Sequence, residues 1–326
     1  MSVLVTGAAG FIGSHTAMRL LQRGDQVIGL DNLNDYYPPE RKRSNVREVG
    51  QHARSQHQFE FIEGDIRDRP LLARVFRQFD VKAVIHLAAM AGVRVSVDDP
   101  WLYYDVNLTG TLNLLEAVRA QSTRATFVLA STSSAYGATA TLPFLESESA
   151  DRPLAPYAAS KRAAELLGFT YHHLHGLDVT ALRFFTVYGP RGRPDMMAYK
   201  VLDSAYGGAP VPYYNNGQMH RDWTFVDDIV SGVVAAADRR LGYEVINLGR
   251  GEPVLVADFV QSLEQLAGKK PNLIEKPMLS ADVEYTFADI SKARRLLDYE
   301  PKVSVAEGTR RFFEWYLAHV RKNPGA

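Results

Sequence analysis

Short runs of apolar, largely β-branched residues recur along the chain, and longer stretches with helical periodicity lie between them. The apolar runs fall at residues 3–5, 27–30, 59–62, 83–89, 126–130, 179–185 and 245–248. Runs of this length, bounded by glycine or polar residues, are typical of buried strands. Because strands alternate with helices, the pattern predicts an α/β fold: a Rossmann-type doubly wound parallel sheet with helices on both faces.

The stretches between the runs predict helices at residues 11–23, 41–54, 70–79, 98–120, 157–175, 196–206 and 225–237. The 98–120 stretch carries an apolar set at helical spacing, so we expect one long helix there. From Thr186 onward, glycine, proline and asparagine become frequent, which indicates turns and short elements. We therefore expect a first domain of residues 1–185 with 226–250. Residues 186–225 and 251–326 are expected to form a smaller α/β C-terminal lobe.

Three glycines, Gly7, Gly10 and Gly13, follow the first predicted strand, and Phe11 and Ile12 begin the helix after them. Such glycines permit a tight strand-to-helix turn, close approach of a pyrophosphate, and close packing of the helix on the sheet. The helix N-terminus then faces the phosphates. The sequence therefore predicts a dinucleotide site.

Asp31 ends the second predicted strand, where a carboxylate can accept hydrogen bonds from an adenosine ribose. Its charge would repel a 2′-phosphate, so we predict NAD rather than NADP. Residues 1–185 with 226–250 are then the expected NAD-binding domain, and the smaller lobe is expected to bind the substrate. The basic residues 41–43 leave NADP open as the alternative. Further cofactor contacts are expected from strand ends and loops: Asn32, Asp65, Ile66, Leu87, Ala88, Ala89 and Asn107.

Tyr157 and Lys161 lie four residues apart, on one face of a predicted helix. A free tyrosine has a pKa near ~10, too high for a base at neutral pH. We expect the lysine cation and a positively charged nicotinamide to lower that pKa, so that the phenolate takes the proton of an alcohol. Thr132 and its neighbours follow the fifth predicted strand and offer hydroxyls to the reacting oxygen.

These residues resemble the extended short-chain dehydrogenase/reductase family, and the resemblance covers essentially the whole chain. Within that family the chain is most similar to the UDP-glucuronate 4-epimerases. The closer match rests on residues 86–94, 182–190, 192–196 and 221–229.

The resemblance implies a role for each matching residue. Thr132, Tyr157 and Lys161 are implied to be catalytic, and Tyr157 also counts among the cofactor contacts with Lys161. Arg193 is implied to meet the sugar carboxylate. The remaining implied substrate contacts are Arg221 at the diphosphate, Thr186 near the diphosphate or sugar, Asp282 near the uridine ribose, and Arg94, Ser133 and Ser134. Two structural alternatives stay open: Arg193 is a solvated loop residue, or Arg221 is paired with Asp222 or Asp227.

The two positions after Thr132 separate this chain from similar enzymes. Sugar-nucleotide dehydratases of the family carry an Asp-Glu pair there, and UDP-glucuronate decarboxylases carry glutamate where Ser134 stands. Ser133 and Ser134 argue against both reactions. The resemblance thus implies 4-epimerisation of UDP-glucuronate through a 4-keto sugar. The open alternatives are a 4-epimerase of neutral UDP-hexoses, a UDP-glucuronate decarboxylase, and a catalytically silent dinucleotide sensor.

The amino-acid composition limits the classes of partner and binding site that can be expected. The 326 residues contain 37 Lys and Arg, 37 Asp and Glu, and no cysteine, so the formal net charge is zero. Charge gives no reason to expect nucleic acid, and no apolar run is long enough for a membrane span. Without cysteine we expect no disulfides or thiolate metal sites, and the histidines at 172, 173 and 175 lack metal-ligand spacing. We expect a cytoplasmic protein without a leader or a metal and, as the resemblance implies, a homodimer.

Overall fold

Strands and helices alternate in the computed structural model, which describes residues 1–121, 123–139, 141–278 and 282–321. The strands are β1 (Ser2–Thr6), β2 (Gln26–Asp31), β3 (Phe59–Glu63), β4 (Ala83–His86), β5 (Thr126–Thr132), β6 (Asp178–Phe184), β7 (Thr186–Tyr188), β8 (Val211–Tyr214), β9 (His220–Phe225), β10 (Tyr243–Leu248), β11 (Pro253–Leu255), β12 (Leu273–Lys276) and β13 (Tyr285–Thr286). The helices are α1 (Phe11–Arg23), α2 (Pro39–Gln51), α3 (Arg69–Gln78), α4 (Val95–Asp98), α5 (Pro100–Tyr104), α6 (Gly110–Ala120), α7 (Pro156–His175), α8 (Met197–Gly207), α9 (Val226–Ala237), α10 (Val256–Ala267), α11 (Ser291–Leu297) and α12 (Val305–Tyr316).

The main sheet has seven strands in the order β10-β6-β5-β4-β1-β2-β3. Every neighbouring pair is parallel, which confirms the predicted doubly wound fold. The predicted run at 245–248 joins the sheet as β10. The strand order changes direction between β1 and β4, and ligands of such sheets bind outside the carboxyl ends of the strands at that point.

Helices cover both faces because the strands are apolar on both sides. Val3 and Val5 of β1 belong to one buried cluster, to which α1 and α9 contribute. Leu4, between them, belongs to the other cluster, with residues of α3, α6 and α7. Side chains alternate across a strand, so one short run supplies both layers of the core.

The later part of the chain forms smaller sheets. β9 pairs with β7 and β13 in parallel and with β11 antiparallel. β8 and β12 form a separate parallel pair. Helix α10 packs against α8 and α12. Helix α11 instead packs against strand β10 of the main sheet and against helix α9. These elements stand beside the carboxyl ends of β5 and β6, since β7 follows β6 after one residue.

The predicted helix over residues 98–120 is confirmed, except that it begins at Pro100. Helix α5, a wider π-helical turn at residues 105–109, and α6 follow one another without a break, and the short helix α4 precedes them. Pro100 cannot continue a helix that precedes it, because it lacks an N–H, and it takes the first position of α5. The carboxylate of Asp99 caps α5 by accepting from the N–H of Leu102 at 3.2 Å.

The predicted strand at 83–89 is also shorter than expected. β4 ends at His86 because its neighbour β1 ends at Thr6. The N–H of Leu87 makes a last bond to the Thr6 carbonyl, and that of Ala88 turns to the Thr6 hydroxyl at 3.3 Å. Residues 87–89 therefore leave the sheet and cross the mouth of the glycine turn.

Candidate active site

The glycine turn after β1 is closed so tightly that side chains are excluded. Gly7 has φ +71°, and a Cβ there would lie 2.7 Å from the backbone nitrogen of Ala88. A Cβ on Gly13 would overlap the carbonyl oxygen of Gly7. The N–H of Gly10 donates to that same carbonyl at 3.0 Å. The N-terminus of α1 is thus left open toward the cavity beyond the sheet, as a phosphate site requires.

Asp31 is fixed at the end of β2. It is 8% exposed, and its two carboxylate oxygens accept from the N–H groups of Ala9 at 3.1 Å and Leu33 at 2.9 Å. Burial raises the pKa of Asp31, while these hydrogen bonds and the charge of Lys42 oppose that rise. The ammonium of Lys42 is bound to the carbonyl and side-chain oxygens of Asn34. The loop after β2 is thereby tied to α2, which carries Lys42.

A cavity of about 540 Å³ lies outside the carboxyl ends of the main sheet. Its glycine cradle and its buried acid match the phosphate and ribose groups of a dinucleotide, so the residues present fit NAD. The predicted cofactor residues that line it are Gly7, Gly10, Phe11, Ile12, Gly13, Asp31, Asn32, Asp65, Ile66, Leu87, Ala88, Ala89, Tyr157 and Lys161.

Asn107, predicted as a cofactor contact, lies behind that lining instead. Its side chain accepts from the N–H of Met90 at 2.8 Å and donates to the Met90 carbonyl and the Ser160 hydroxyl at 3.0 Å each. Asn107 is fully buried in the π-helical turn within the predicted long helix. Its position ties the loop after β4 to α7, so it acts on the cavity wall rather than facing the cavity.

The three predicted catalytic residues come together at one point of the cavity. Thr132 is the last residue of β5, and Tyr157 and Lys161 lie in the first two turns of α7, which begins at Pro156. The Tyr157 phenol lies beside the Thr132 side chain, which favours its ionised form. Thr132 also accepts from the N–H of Ser134 at 3.1 Å, which fixes its hydroxyl.

The expected lowering of the Tyr157 pKa is not found in the protein itself. Burial raises the pKa of Tyr157, and the Thr132 side chain and the charge of Arg193 only partly oppose it. Burial also lowers the pKa of Lys161 to about 8, against the charge of Glu165. The cause that sequence reasoning missed is desolvation, which depends on how deeply α7 is packed.

A second cavity, of about 390 Å³, adjoins the first. Of the predicted substrate residues, Arg94, Ser133, Ser134 and Thr186 line both cavities, Arg193 lines the first, and Arg221 and Asp282 line the second. One continuous cleft therefore runs from the catalytic residues to the later sheets.

Arg193 is held in that cleft rather than solvated. Its guanidinium makes two parallel hydrogen bonds to the carboxylate of Asp195, at 2.9 and 3.0 Å. The Tyr36 hydroxyl donates to the same carboxylate at 3.2 Å, and the Arg193 guanidinium lies over the Tyr36 ring. Sequence reasoning missed Tyr36 and Asp195. The signals were an aromatic residue in the loop after Asp31 and an acid two residues beyond the arginine.

Arg221 is paired, but with neither of the acids considered from the sequence. Its guanidinium donates to the carboxylate of Asp282 at 2.7 Å. Asp222 is occupied by the N–H groups of residues 250, 251 and 288 and by a threonine hydroxyl. Arg94 lies 3.8 Å from the other oxygen of Asp282. Two arginines and one acid thus converge at the far end of the cleft.

The loop that carries Arg193 is anchored to the first two helices. Arg191 forms an ion pair with Glu48 of α2 and is only 7% exposed. His15 of α1 shares a hydrogen bond of 2.9 Å with the carbonyl of Pro190. Burial lowers the pKa of His15 to about 4, so the ring is neutral and donates. Arg191 is therefore an anchor of the loop.

Among the residues that the structure describes, no group of three or more histidine, aspartate or glutamate side chains is arranged to hold a metal ion. Nor does this part of the chain contain a helix both long and apolar enough to cross a membrane.

The chain is similar to known proteins over nearly its whole length. The model of a family described as GDP-mannose 4,6 dehydratase matches residues 4–312. A UDP-glucuronate 4-epimerase of Thermodesulfobacterium geofontis is 45% identical over 318 residues, which is 97% of this chain and 96% of the relative.

Solved structures agree with these relatives. UDP-glucuronic acid 4-epimerase from Bacillus cereus, crystallised with UDP-glucuronic acid and NAD, is 35% identical with a TM-score of 0.88, over 97% of this chain and 98% of that one. UDP-glucose 4-epimerase from Thermotoga maritima, with UDP-glucose, is 31% identical with the same TM-score, over 99% of this chain and 100% of that one. With its glycine turn, its Tyr157/Lys161 pair and these matches along its whole length, the chain belongs to the extended short-chain dehydrogenase/reductase family.

Proposed function

We propose that this protein catalyses the NAD-dependent 4-epimerisation of UDP-glucuronate to UDP-galacturonate. The observation that carries the proposal is the position of Arg193 in the cavity that contains Thr132 and Tyr157. Its two-pronged contact with Asp195 demonstrates that a carboxylate fits the plane of this guanidinium. A uronate carboxylate therefore has a cationic partner beside the base, which a neutral sugar does not require.

The proton chemistry follows from the position of Thr132 beside Tyr157 in one cavity. Tyr157 takes the proton of the C4 hydroxyl as a phenolate, and the Thr132 hydroxyl orients the reacting oxygen. When bound, NAD⁺ accepts a hydride from C4 and later returns it, so there is no net redox change. The positive charge of Lys161 favours the phenolate, which burial alone opposes. Between the two transfers the 4-keto sugar turns over about its phosphate linkage, and Tyr157 returns the proton.

Arg193 is proposed to protect the 4-keto sugar from decarboxylation. Its C5 carboxylate is β to a ketone, and carbon dioxide leaves when the breaking bond aligns with the carbonyl π system. A bidentate guanidinium fixes the plane of a carboxylate, which a lysine does not. Arg193 can therefore hold the carboxylate out of alignment during turnover.

The rest of the cleft is assigned to the nucleotide. We propose that Arg94, Arg221 and Asp282 bind the UDP moiety, and that Ser133, Ser134 and Thr186 contact the sugar and diphosphate between them and the base. On this assignment residues 1–185 and 226–250 hold NAD, and the remaining segments hold the UDP-sugar. Convergence of the two arginines at one end of the second cavity supports it, because a diphosphate needs compensating charge.

A homodimer is proposed from the outer face of neighbouring helices α5 and α7. Large apolar side chains are exposed there: Trp101 is 85% exposed, Leu166 52%, Phe169 50% and Leu174 64%. Helices α5 and α7 pack against each other, so the same helices of a second copy can cover these side chains in a four-helix contact. Light scattering on the purified protein measures the mass, and a monomeric mass contradicts the assignment.

The reaction is tested by incubating the purified protein with UDP-glucuronate or UDP-glucose and separating the products by chromatography. We expect UDP-galacturonate as the main product, and NAD, not NADP, in the supernatant after denaturation. Faster conversion of UDP-glucose favours the neutral-hexose alternative, to which the Thermotoga maritima relative gives weight. If UDP-pentose is the main product, the protein is a decarboxylase. If no product forms, it is the catalytically silent dinucleotide sensor.

A further inference from the structure

A charged cluster lies beneath the catalytic residues, between α7 and the ends of β5 and β6. Its centre is Glu165, four residues after Lys161 on the same face of α7 and fully buried. None of the reaction steps described above uses Glu165. Burying an ionised carboxylate costs free energy unless hydrogen-bond partners surround it, so its presence here calls for an explanation.

The Glu165 carboxylate has a partner on every element around it. One oxygen accepts from the Ser131 hydroxyl of β5 at 2.5 Å and from Arg183 of β6 at 2.9 Å. The other accepts from Arg183 at 2.8 Å and from Arg162 of α7 at 3.0 Å. Tyr243 of β10 donates to the backbone carbonyl of Glu165 at 2.9 Å. One side chain therefore fastens α7 to two parallel strands.

The position of Ser131 makes this fastening relevant to catalysis. Ser131 directly precedes Thr132, whose side chain lies beside the Tyr157 phenol in the same cavity. Glu165 is connected to Thr132 through Ser131 at the end of β5. It is also connected to Tyr157 through α7, on which Lys161 lies between them. The two connections meet at Glu165, so its carboxylate sets how the Thr132 hydroxyl lies against the Tyr157 phenol.

We propose that Glu165 is a positioning residue for the reaction: it fixes the end of β5 to α7 and sets a permanent negative charge one helical turn behind Lys161. The inference rests on the proposed function, since it assigns Glu165 a part in that proton transfer.

The charges around the cluster agree with this role. Burial by itself raises the pKa of Glu165, and the hydrogen bonds from Arg183 and Ser131 bring it below its ordinary value. Burial lowers the pKa of Lys161 to about 8, and the charge of Glu165 opposes that fall. On β4, His86 is buried with a pKa well below its ordinary value, so it adds no cation beside Lys161. Glu165 is thus the charge that supports the ammonium near neutral pH.

The experiment begins with Ser131→Ala, which removes one hydroxyl and leaves Glu165 with both arginines. We expect kcat to fall roughly tenfold, because the strand end loses its tie to α7, with KM and bound NAD unchanged. Tyr243→Phe is the matched control: it also removes one hydroxyl bonded to Glu165, but on the side away from the base, and kcat should not change. A wild-type kcat in Ser131→Ala overturns the proposal.

The charge is tested with Glu165→Gln and with the double variant Glu165→Gln/Arg183→Met, which leaves no unpaired charge at Arg183. We expect the alkaline limb of the kcat profile to move to lower pH by about one unit, because Lys161 loses its proton earlier. A merely structural role lowers the melting temperature without that displacement. A folded variant with the wild-type profile overturns the charged part of the proposal.

The wild type is assayed first with UDP-glucuronate and UDP-glucose, and the profiles use the sugar that it converts. Failure with UDP-glucuronate therefore counts against the proposed substrate. Failure of the variants to change kcat or its pH profile counts against Glu165.

Discussion

Charged groups meet in two regions of the cleft, and the regions obtain their partners differently. In the catalytic region Tyr157, Lys161 and Glu165 repeat at four-residue spacing on one helix, and Thr132 ends an adjacent strand. In the substrate region Arg221 and Asp282 are 61 residues apart, and the Tyr36–Asp195 bond spans 159. Local spacing thus encodes the helical part of the first region, whereas in the second only the Arg193–Asp195 pair is local and folding assembles the rest.

The regions also differ in exposure. Lys161 is 2% exposed, whereas the side chains of Arg193 and Asp282 are 25% and 28% exposed. Ion pairs at partly exposed positions contribute little net free energy and can exchange partners. The buried region is therefore suited to holding a fixed geometry for proton transfer. The exposed one is suited to giving up an internal carboxylate for a ligand.

The largest effect is expected from Tyr157→Phe, which removes the base and leaves the packing of α7 in place. Turnover should fall ~10²–10⁴-fold, the usual contribution of general base catalysis. Bound NAD and the melting temperature should match the wild type. Retention of more than about a tenth of the activity would falsify the assignment of the base.

A smaller effect is expected from Arg193→Ala, because the substrate carboxylate loses a charge-assisted contact of roughly 1.5–3 kcal/mol. Turnover of UDP-glucuronate should fall about ten- to a hundredfold, the preference over UDP-glucose should narrow, and the share of UDP-pentose should rise. Both products and both substrates are measured by chromatography.

Two further variants sharpen the Arg193 result. Arg193→Lys keeps the positive charge but cannot hold the carboxylate in one plane with two hydrogen bonds. Compared with Arg193→Ala, it should bind UDP-glucuronate more tightly, but it should still release a raised share of UDP-pentose. Arg47→Ala removes an exposed arginine that pairs with Glu40 outside the cleft, and it should behave as the wild type. Unchanged turnover and no added decarboxylation in Arg193→Ala would leave Arg94 as the candidate, because Arg191 is already bound to Glu48.

The smallest effect is expected at the far end of the cleft. Arg221→Ala should weaken inhibition by UDP about fivefold, with kcat nearly unchanged, because this contact is remote from the reacting carbon. Asp282→Asn should have a smaller effect of the same kind, since Arg94 and Arg221 both remain. Arg310→Ala, which alters an exposed arginine on α12, is the control. A large loss of kcat in Arg221→Ala would mean that contacts at the far end of the cleft also control the chemistry in the catalytic region.

The sequence by itself determined the doubly wound core and the glycine turn. Residues 3–5 are apolar on both sides and can be buried only between two layers of helices. Gly7 and Gly13 are required by contacts made within the turn and with the loop crossing it. Tyr157 and Lys161 are neighbours wherever their helix lies. These features depend on spacing along the chain, so they are visible before folding.

Only the tertiary structure decided the rest, because the deciding partners are distant in sequence. Asn107 is bonded to Met90 and Ser160 from a π-helical turn that periodicity alone did not reveal within the predicted helix. Arg221 pairs with Asp282 instead of the acids nearest to it in sequence. The pKa values of Tyr157 and Lys161 depend on burial, and burial is a property of how α7 packs on the sheet rather than of the residues it contains.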